Sequence, residues 1–393
     1  MSIKTMLMPW VTQRIFSRDT LLNKRVQAER KRMAAGLPHV VHYFHQVDDP
    51  YSALVAQILP QLVARYQVQF EFHLVGQPPE AAAPERDKLI AFSRKDAQAL
   101  AQRWGLCFQD FGQQPSSQAV AHTGVQLLDA IESQRFAELA RPLSKTLWSA
   151  QSLEQSTSVD QTQLQRLNQH LQKSNALRAK LGHYLGGMFY YEGEWYWAID
   201  RLRHLEERLM QLKLQATSHY SVLFPLDDDL EQPQPLHNPP PIEFYFSFRS
   251  PYSAIVAPRV FELARLTGAK VELKYVLPMV MRGLPVPKDK RQYIAHDTAR
   301  EAHVRGIPFG KLNDPVGKPT ERGLSLIPLA QAQGVAEAYI LSFMKGVWAE
   351  GIDAGSELAR LDETKRILDS MASKAYRAGD SNAGSQAAAL AKK

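Results

Sequence analysis

Apolar positions in this chain alternate with period two, break at a proline and resume with a spacing of three and four, and this change of period occurs twice. The phrase YFHQVDDPYSALVA starts at Tyr43 and YFSFRSPYSAIVA closes on Ala257, with Pro50 and Pro251 equivalent, 201 residues apart. Each copy reads as an aromatic strand, a turn at Asp-Pro or Ser-Pro, and a helix start. The first copy predicts a strand over 39–45, a helix over 50–66 and a second strand over 67–75. The second predicts a strand over 242–247, a helix over 251–266 and a strand over 270–276.

Between about residues 86 and 177 the Leu, Ala and Gln spacing is helical throughout, so several helices are expected to interrupt the first sheet. The run MFYYEGEWYWAIDRLRHLEERL then predicts an aromatic hairpin around a Glu-Gly turn, followed by an amphipathic helix. KTLWSA at 145–150 returns as KGVWAE at 345–350, again 200 residues on. An offset this long exceeds solenoid periods, so the repeated units are whole domains.

The expected organisation is a basic N-terminal arm over 1–36, a first domain over 37–212, a linker over 213–241 and a second domain over 242–393. The linker holds six prolines and a run of acidic residues, a composition that favours extended chain. The second domain shows no counterpart of the aromatic hairpin, and two strands without later partners make a poor sheet. The expectation is therefore that the second domain lacks its closing strands here and that the sequence is a fragment.

Composition narrows the class. At 393 residues and 45% hydrophobic content, two domains can each bury a core. Cys107 is the single cysteine, which rules out an internal disulfide and a Cys-x-x-Cys redox pair. With no apolar stretch long enough for a membrane span and no signal-peptide core, a cytoplasmic location is expected. Most of the net charge of +7 lies in the arm, which has eight basic residues against two acidic ones. Such an arm could meet nucleic acid or anionic lipid, but it has few interleaved aromatics, and a solvated helix packing its Leu and Phe face on the first domain is the favoured reading.

Candidate chemistry concentrates at the second Ser-Pro junction. Ser250 stands before Pro251 at a helix start, where unpaired N–H groups and the helix dipole favour an anion. A thiol bound there would ionise more readily, and the Ser250 hydroxyl could donate to the thiolate. The same residue would also serve as an ordinary N-cap. The first copy has Asp49 at this position, preceded by Asp48; a carboxylate caps well but repels a thiolate. His39, His42 and His45 are spaced by three along a strand, do not share one face and are expected to be structural, so no metal site is expected. Trp195, Tyr196 and Trp197 read as core aromatics, and Gly186-Gly187 lacks a phosphate-loop context.

Three ordered segments, FYFSFRSPYSAIVA, KRQYIAHDTAREAHVRGIPF and FMKGVWAEGID, resemble 2-hydroxychromene-2-carboxylate isomerase and the kappa-class glutathione transferases, a DsbA-like branch of the thioredoxin fold. The resemblance spans about residues 242–390. It implies an α/β protein with two thioredoxin-like, DsbA-like domains in tandem, each with a helical insertion. It further implies glutathione as cofactor, with Ser250 contacting the glutathione sulfur and the thiolate adding reversibly to a small conjugated or aromatic substrate. Asp297 and Arg300 match polar positions of the family near the site; a plain exposed i, i+3 helical pair is the competing reading. GEWYWAIDRLRHLE resembles the family's closing segment, in which Asp200 matches an aspartate that helps hold the glutamyl end of glutathione, although Asp200 could equally cap its helix.

The first domain departs from the pattern. Relatives carry a Gly-Val-Pro-Thr turn with a cis-proline before the closing strands, whereas the aligned residues here are Leu185, Gly186, Gly187 and Met188. The first domain is therefore expected to be degenerate. The resemblance leaves room for a homodimer. The leading expectation is a glutathione-dependent isomerase or transferase, and the alternative is a non-catalytic DsbA-like binding or scaffold protein.

Overall fold

The computed structural model describes residues 3–149, 159–217, 219–226 and 235–356. Two units emerge: one comprises Arg25–Asp227 with Pro285–Lys290, and the other Met1–Lys24, Asp228–Leu284 and Arg291–Lys393. They are called the N-terminal and C-terminal units below.

The N-terminal unit is built on β1 (Val40–Gln46), α3 (Pro50–Arg65) and β2 (Gln69–Val75), with β1 and β2 parallel. Asp49 caps α3, accepting from the Ser52 backbone N–H, and Pro50 occupies the first turn, where its missing donor costs nothing. The expected helical insertion follows as α4 (Arg86–Trp104), α5 (Ser117–Glu132), α6 (Phe136–Leu147) and α7 (Gln161–Lys180). The chain then returns through β3 (Met188–Tyr191) and β4 (Glu194–Trp197) to α8 (Leu202–Gln211). The sheet order is β2-β1-β3-β4, with β3 antiparallel to both neighbours.

The alternation read from the sequence is that of this sheet. Tyr43 from β1 and Phe189 from β3 are fully buried with ring centroids 4.7 Å apart, and Leu54, Leu59, Phe136 and Tyr196 join the same core. Each such side chain contributes on the order of 1.5–3 kcal/mol of burial. Residues 213–226, read from the sequence as the start of the linker, behave differently. Phe224 is buried against Trp104 at 5.2 Å, and the Leu223 N–H donates to Glu206 at 2.8 Å, so this stretch completes the N-terminal core. Residues 227–234 of the linker lie outside the described residues.

The C-terminal unit repeats the opening motif: β5 (Ile242–Phe246), α9 (Pro251–Thr267) and β6 (Val271–Tyr275), with the strands parallel. Helices α10 (Lys288–Val304), α11 (Lys318–Ser325), α12 (Ile327–Ala332) and α13 (Ala336–Lys345) follow. Its core is aromatic, with Phe248 stacked on Phe343 at 4.0 Å and the Trp348 indole N–H donating to the Phe248 carbonyl at 2.9 Å. Among the described residues the sheet of this unit has two strands. Residues 357–393, on which the expectation of missing closing strands also bears, lie outside the described residues.

The basic arm forms α1 (Ile3–Ile15) and α2 (Arg18–Ala34). Where the sequence suggests packing on the first domain, Thr12 of α1 and Phe16 just after it contact the C-terminal unit. Phe16 meets the edge of His296 at 5.1 Å, its carbonyl hydrogen-bonds His303 at 2.8 Å, and Thr12 accepts from the Leu312 N–H at 2.9 Å. Helical spacing alone says that a face is apolar, not which core it joins. In the part of α2 that groups with the N-terminal unit, Arg25 makes a two-pronged bond to Glu194 at 2.7 and 2.9 Å. Arg32 pairs with Glu29 at 2.6 Å. No helix among the described residues is long and apolar enough to cross a membrane.

Gly186 and Gly187 pass close to the β1–α3 junction. A Cβ on Gly186 would fall 2.3 Å from the Gln46 Cβ, and one on Gly187 would lie 3.1 Å from an Asp49 carboxylate oxygen. Gly187 also has φ of +64°, a left-handed conformation that glycine tolerates best. Gly186→Ala is expected to lower the unfolding free energy by about 1–3 kcal/mol through overpacking. Gln46→Gly should recover part of that loss in urea denaturation, and a neutral Gly186→Ala would contradict this close packing.

Candidate functional site

The two strand–helix junctions are built alike. In the C-terminal unit Ser250 is the N-cap of α9, and its hydroxyl accepts from the Ser253 N–H at 3.1 Å. The Ser253 hydroxyl in turn accepts from the Ser247 N–H at 3.4 Å, joining the first helical turn to the end of the strand. In the N-terminal unit Asp49 accepts from the Ser52 N–H at 2.8 Å, and the Ser52 hydroxyl accepts from the Gln46 N–H at 3.2 Å. The partners in the two units correspond one for one, 201 residues apart.

What differs is the capping atom. The Ser250 hydroxyl accepts the helix N–H and as a hydroxyl has a proton to donate, and the residue is half-buried. Asp49 also takes a hydrogen bond from the Ser52 hydroxyl at 2.7 Å, and as a carboxylate it can only accept. Burial pushes the Asp49 carboxyl up to about 6, against the opposing effect of its bonds from Ser52.

Asp297 and Arg300 lie on α10 and form an ion pair at 2.7 Å. The i, i+3 reading from sequence holds for the pairing but not for its exposure, because the two side chains are only 1% and 8% accessible. Spacing along a helix identifies neighbours without saying which side faces the core. Asp297 also accepts from the Tyr252 hydroxyl at 2.8 Å, so the buried pair is tied to the first turn of α9, two residues from Ser250. The N-terminal unit has the same link: Tyr51 donates to Asp96 at 2.7 Å, again 45 residues along the chain. At the position equivalent to Arg300 it carries Ala99, so the tyrosine–aspartate tie persists without the guanidinium.

Asp200 is exposed in the turn after β4, in the other unit from Ser250. The N-cap of α8 is Arg201, so Asp200 stands one residue before the capping position. The end of β4 is held near the glycine pair, since the Ala198 N–H donates to the Gly187 carbonyl at 2.8 Å. The four sequence-derived residues thus divide between the units: Ser250, Asp297 and Arg300 belong to one junction of the C-terminal unit, and Asp200 to the N-terminal unit. All peptide bonds of the described residues are trans, including those of the glycine pair.

The three histidines of β1 do not converge on one another. His39 bonds the Tyr191 hydroxyl at 2.7 Å, and His45 is buried beside the Tyr43 hydroxyl at 3.2 Å, with its pKa depressed to about 3 by burial. His42 instead meets two side chains of the neighbouring strand, Glu71 and His73. Sequence reasoning confined to one strand missed that grouping; pairing of the HYF and EFH segments across a parallel register is the signal that finds it.

A comparison with protein families matches residues 241–388 to the DSBA-like thioredoxin domain. The chain is thus a mixed α/β protein with a DSBA-like thioredoxin domain in its C-terminal part, the part that contains Ser250, Asp297 and Arg300. No curated protein gives a significant match to the chain. The matched segment holds no cysteine, so thiol chemistry at this domain needs a thiol brought by a ligand.

The raised Asp49 carboxyl makes a pH test. A carboxyl that binds its proton more tightly in the folded than in the unfolded state makes stability fall as pH rises from 3.8 to about 6. Asp49→Asn, which keeps an acceptor for the Ser52 N–H, is expected to flatten that decline in denaturation curves taken across this window. Equal slopes for the variant and the wild type would remove Asp49 as the source.

Proposed function

We propose that the C-terminal domain is a glutathione-dependent isomerase or transferase of the 2-hydroxychromene-2-carboxylate isomerase type, and that the N-terminal unit is a degenerate duplicate with a structural role. The observation that carries this reading is the half-buried Ser250 at the N-terminus of the 17-residue helix α9, whose hydroxyl accepts the Ser253 N–H and carries a proton it could donate to a ligand. The partial positive charge of that terminus and the hydroxyl together would favour the ionised form of a bound thiol. The thiolate adds to a conjugated double bond of the substrate, the former double bond rotates, and expulsion of the thiolate restores it, so the sulfur is regenerated without net oxidation.

The buried Arg300–Asp297 pair supports the reading through position rather than contact. By fixing Tyr252 it holds the first turn of α9, and with it the direction of the Ser250 hydroxyl. Duplication is supported by the matched capping bonds, the two tyrosine–aspartate links and the paired aromatic contacts Phe108–Trp148 and Phe309–Trp348 at 5.2 and 6.1 Å. In the N-terminal unit the carboxylate cap and the glycine pair packed against it argue against a thiolate site. Glutathione is the cofactor of this proposal and a small aromatic or conjugated molecule its substrate.

A second reading, a non-catalytic DsbA-like binding or scaffold protein, is favoured by the fact that Ser250 is a satisfied N-cap. Ser250→Ala separates the two. In the catalytic reading the protein binds glutathione by calorimetry and isomerises 2-hydroxychromene-2-carboxylate. The variant then loses about ten- to a hundredfold in turnover, the worth of a charge-assisted hydrogen bond. Loss of the cap alone costs about 1 kcal/mol of stability. If glutathione neither binds nor supports turnover in the wild type, the scaffold reading stands.

A further inference from the structure

The cluster at His42, Glu71 and His73 belongs to no part of the proposed chemistry. Its three side chains come from two parallel strands in a register that pairs His42 with Glu71 and Phe44 with His73. Because side chains on a strand alternate between faces, these four residues share one side of the sheet. The His42 Nδ1 lies 3.1 Å from the His73 Nε2 and 3.2 Å from a Glu71 carboxylate oxygen, and that oxygen is 3.9 Å from the His73 Nε2.

These separations are those of ligand atoms around one small cation. Zinc binds imidazole nitrogen at about 2.0–2.1 Å and carboxylate oxygen at about 2.0–2.2 Å, which places tetrahedral ligand atoms roughly 3.3 Å apart. Two edges of the observed triangle are within a few tenths of an ångström of that value. The third closes by a small movement of Glu71, whose side chain is 40% accessible and free to adjust. Two imidazoles and one carboxylate suit a divalent transition ion better than calcium or magnesium, which prefer oxygen.

The imidazoles are held in place before any ion arrives. His73 is stacked on Phe44 at 4.8 Å and on His42 at 5.3 Å, and the Tyr190 ring lies 6.0 Å from His42 on its other neighbour strand. Both rings stand on paired strands rather than on a loop, the arrangement that best preserves ligand geometry.

We infer that His42, Glu71 and His73 form a three-ligand site for a divalent transition-metal ion of the zinc type on the sheet of the N-terminal unit. The remaining coordination position is left to solvent, as in zinc sites with three protein ligands. This site is independent of Ser250 and of glutathione, so its fate and that of the proposed function are measured separately.

The full chain, stripped with a chelator and dialysed, is titrated with Co2+ while visible absorption is recorded, and with Zn2+ by calorimetry. The expected result is one ion bound per chain, with intense Co2+ bands of low-coordinate geometry. At least a tenfold loss of affinity is expected in His42→Asn and in Glu71→Gln, and Zn2+ should raise the melting temperature of the wild type more than that of either variant. His237→Ala, at an exposed histidine elsewhere, should bind as the wild type does. His73→Ala removes the ring stacked on Phe44, so Glu71→Gln, at a partly exposed side chain, is the deciding variant if His73→Ala does not fold. Absence of stoichiometric binding, or equal affinity in wild type, His42→Asn and Glu71→Gln, overturns the site and leaves a plain His–His–Glu hydrogen-bond cluster.

Discussion

Both halves of this chain depend on one polar contact, the oxygen that accepts the first free N–H of the helix following the opening strand. Without it the N-terminal turn of α3 or α9 would leave donors unpaired beside a core strand, at a cost comparable to a lost hydrogen bond for each. The contact does more than end a helix. Ser52 and Ser253, whose N–H groups are capped, use their hydroxyls to accept from Gln46, the last residue of β1, and from Ser247, the residue after β5, so strand end, turn and helix start form one closed set of bonds. Within this shared frame the identity of the capping atom decides the chemistry available. A hydroxyl can accept from the helix and still donate outward, whereas a carboxylate can only accept.

A second tie gives the frame its direction. The tyrosine after the proline reaches an aspartate on the helix beyond the second strand in both units. Among the described residues, only the C-terminal unit pairs that aspartate with a neighbouring guanidinium. An ion pair with so little exposure adds little net stability relative to apolar packing, but it opposes any rearrangement that would strand one of its charges. The first turn of α9 is thereby restrained where a bound sulfur would have to be met.

Much of this was legible in the sequence, and the failures share a cause. Alternation at 39–45 and 242–247, the Asp-Pro and Ser-Pro starts and the helical spacing after residue 86 all report on neighbours close in the chain, and the strands and helices lie within a residue or two of where those patterns put them. The misjudged features depend on partners distant in sequence. The Leu and Phe positions of the basic arm are visible, but not that Phe16, just after α1, meets His296 and Phe309. Asp297 and Arg300 were visible as a pair, but not that α10 turns them inward. On its own strand His42 has no companion histidine on the same face within reach, while Glu71 and His73 stand on the paired strand in register with His42 and Phe44. The stretch before Phe224 has the composition of a tether, yet a few apolar side chains suffice to bind it to a core.

The glycine pair at 186 and 187 limits what a single substitution can do in the N-terminal unit. Replacing Asp49 by serine would change only the cap, because the space beside it is filled by Gln46 and by the helix start itself. A larger residue at position 186 requires retreat of Gln46, so the strand end, the cap and the glycine turn can be altered only together.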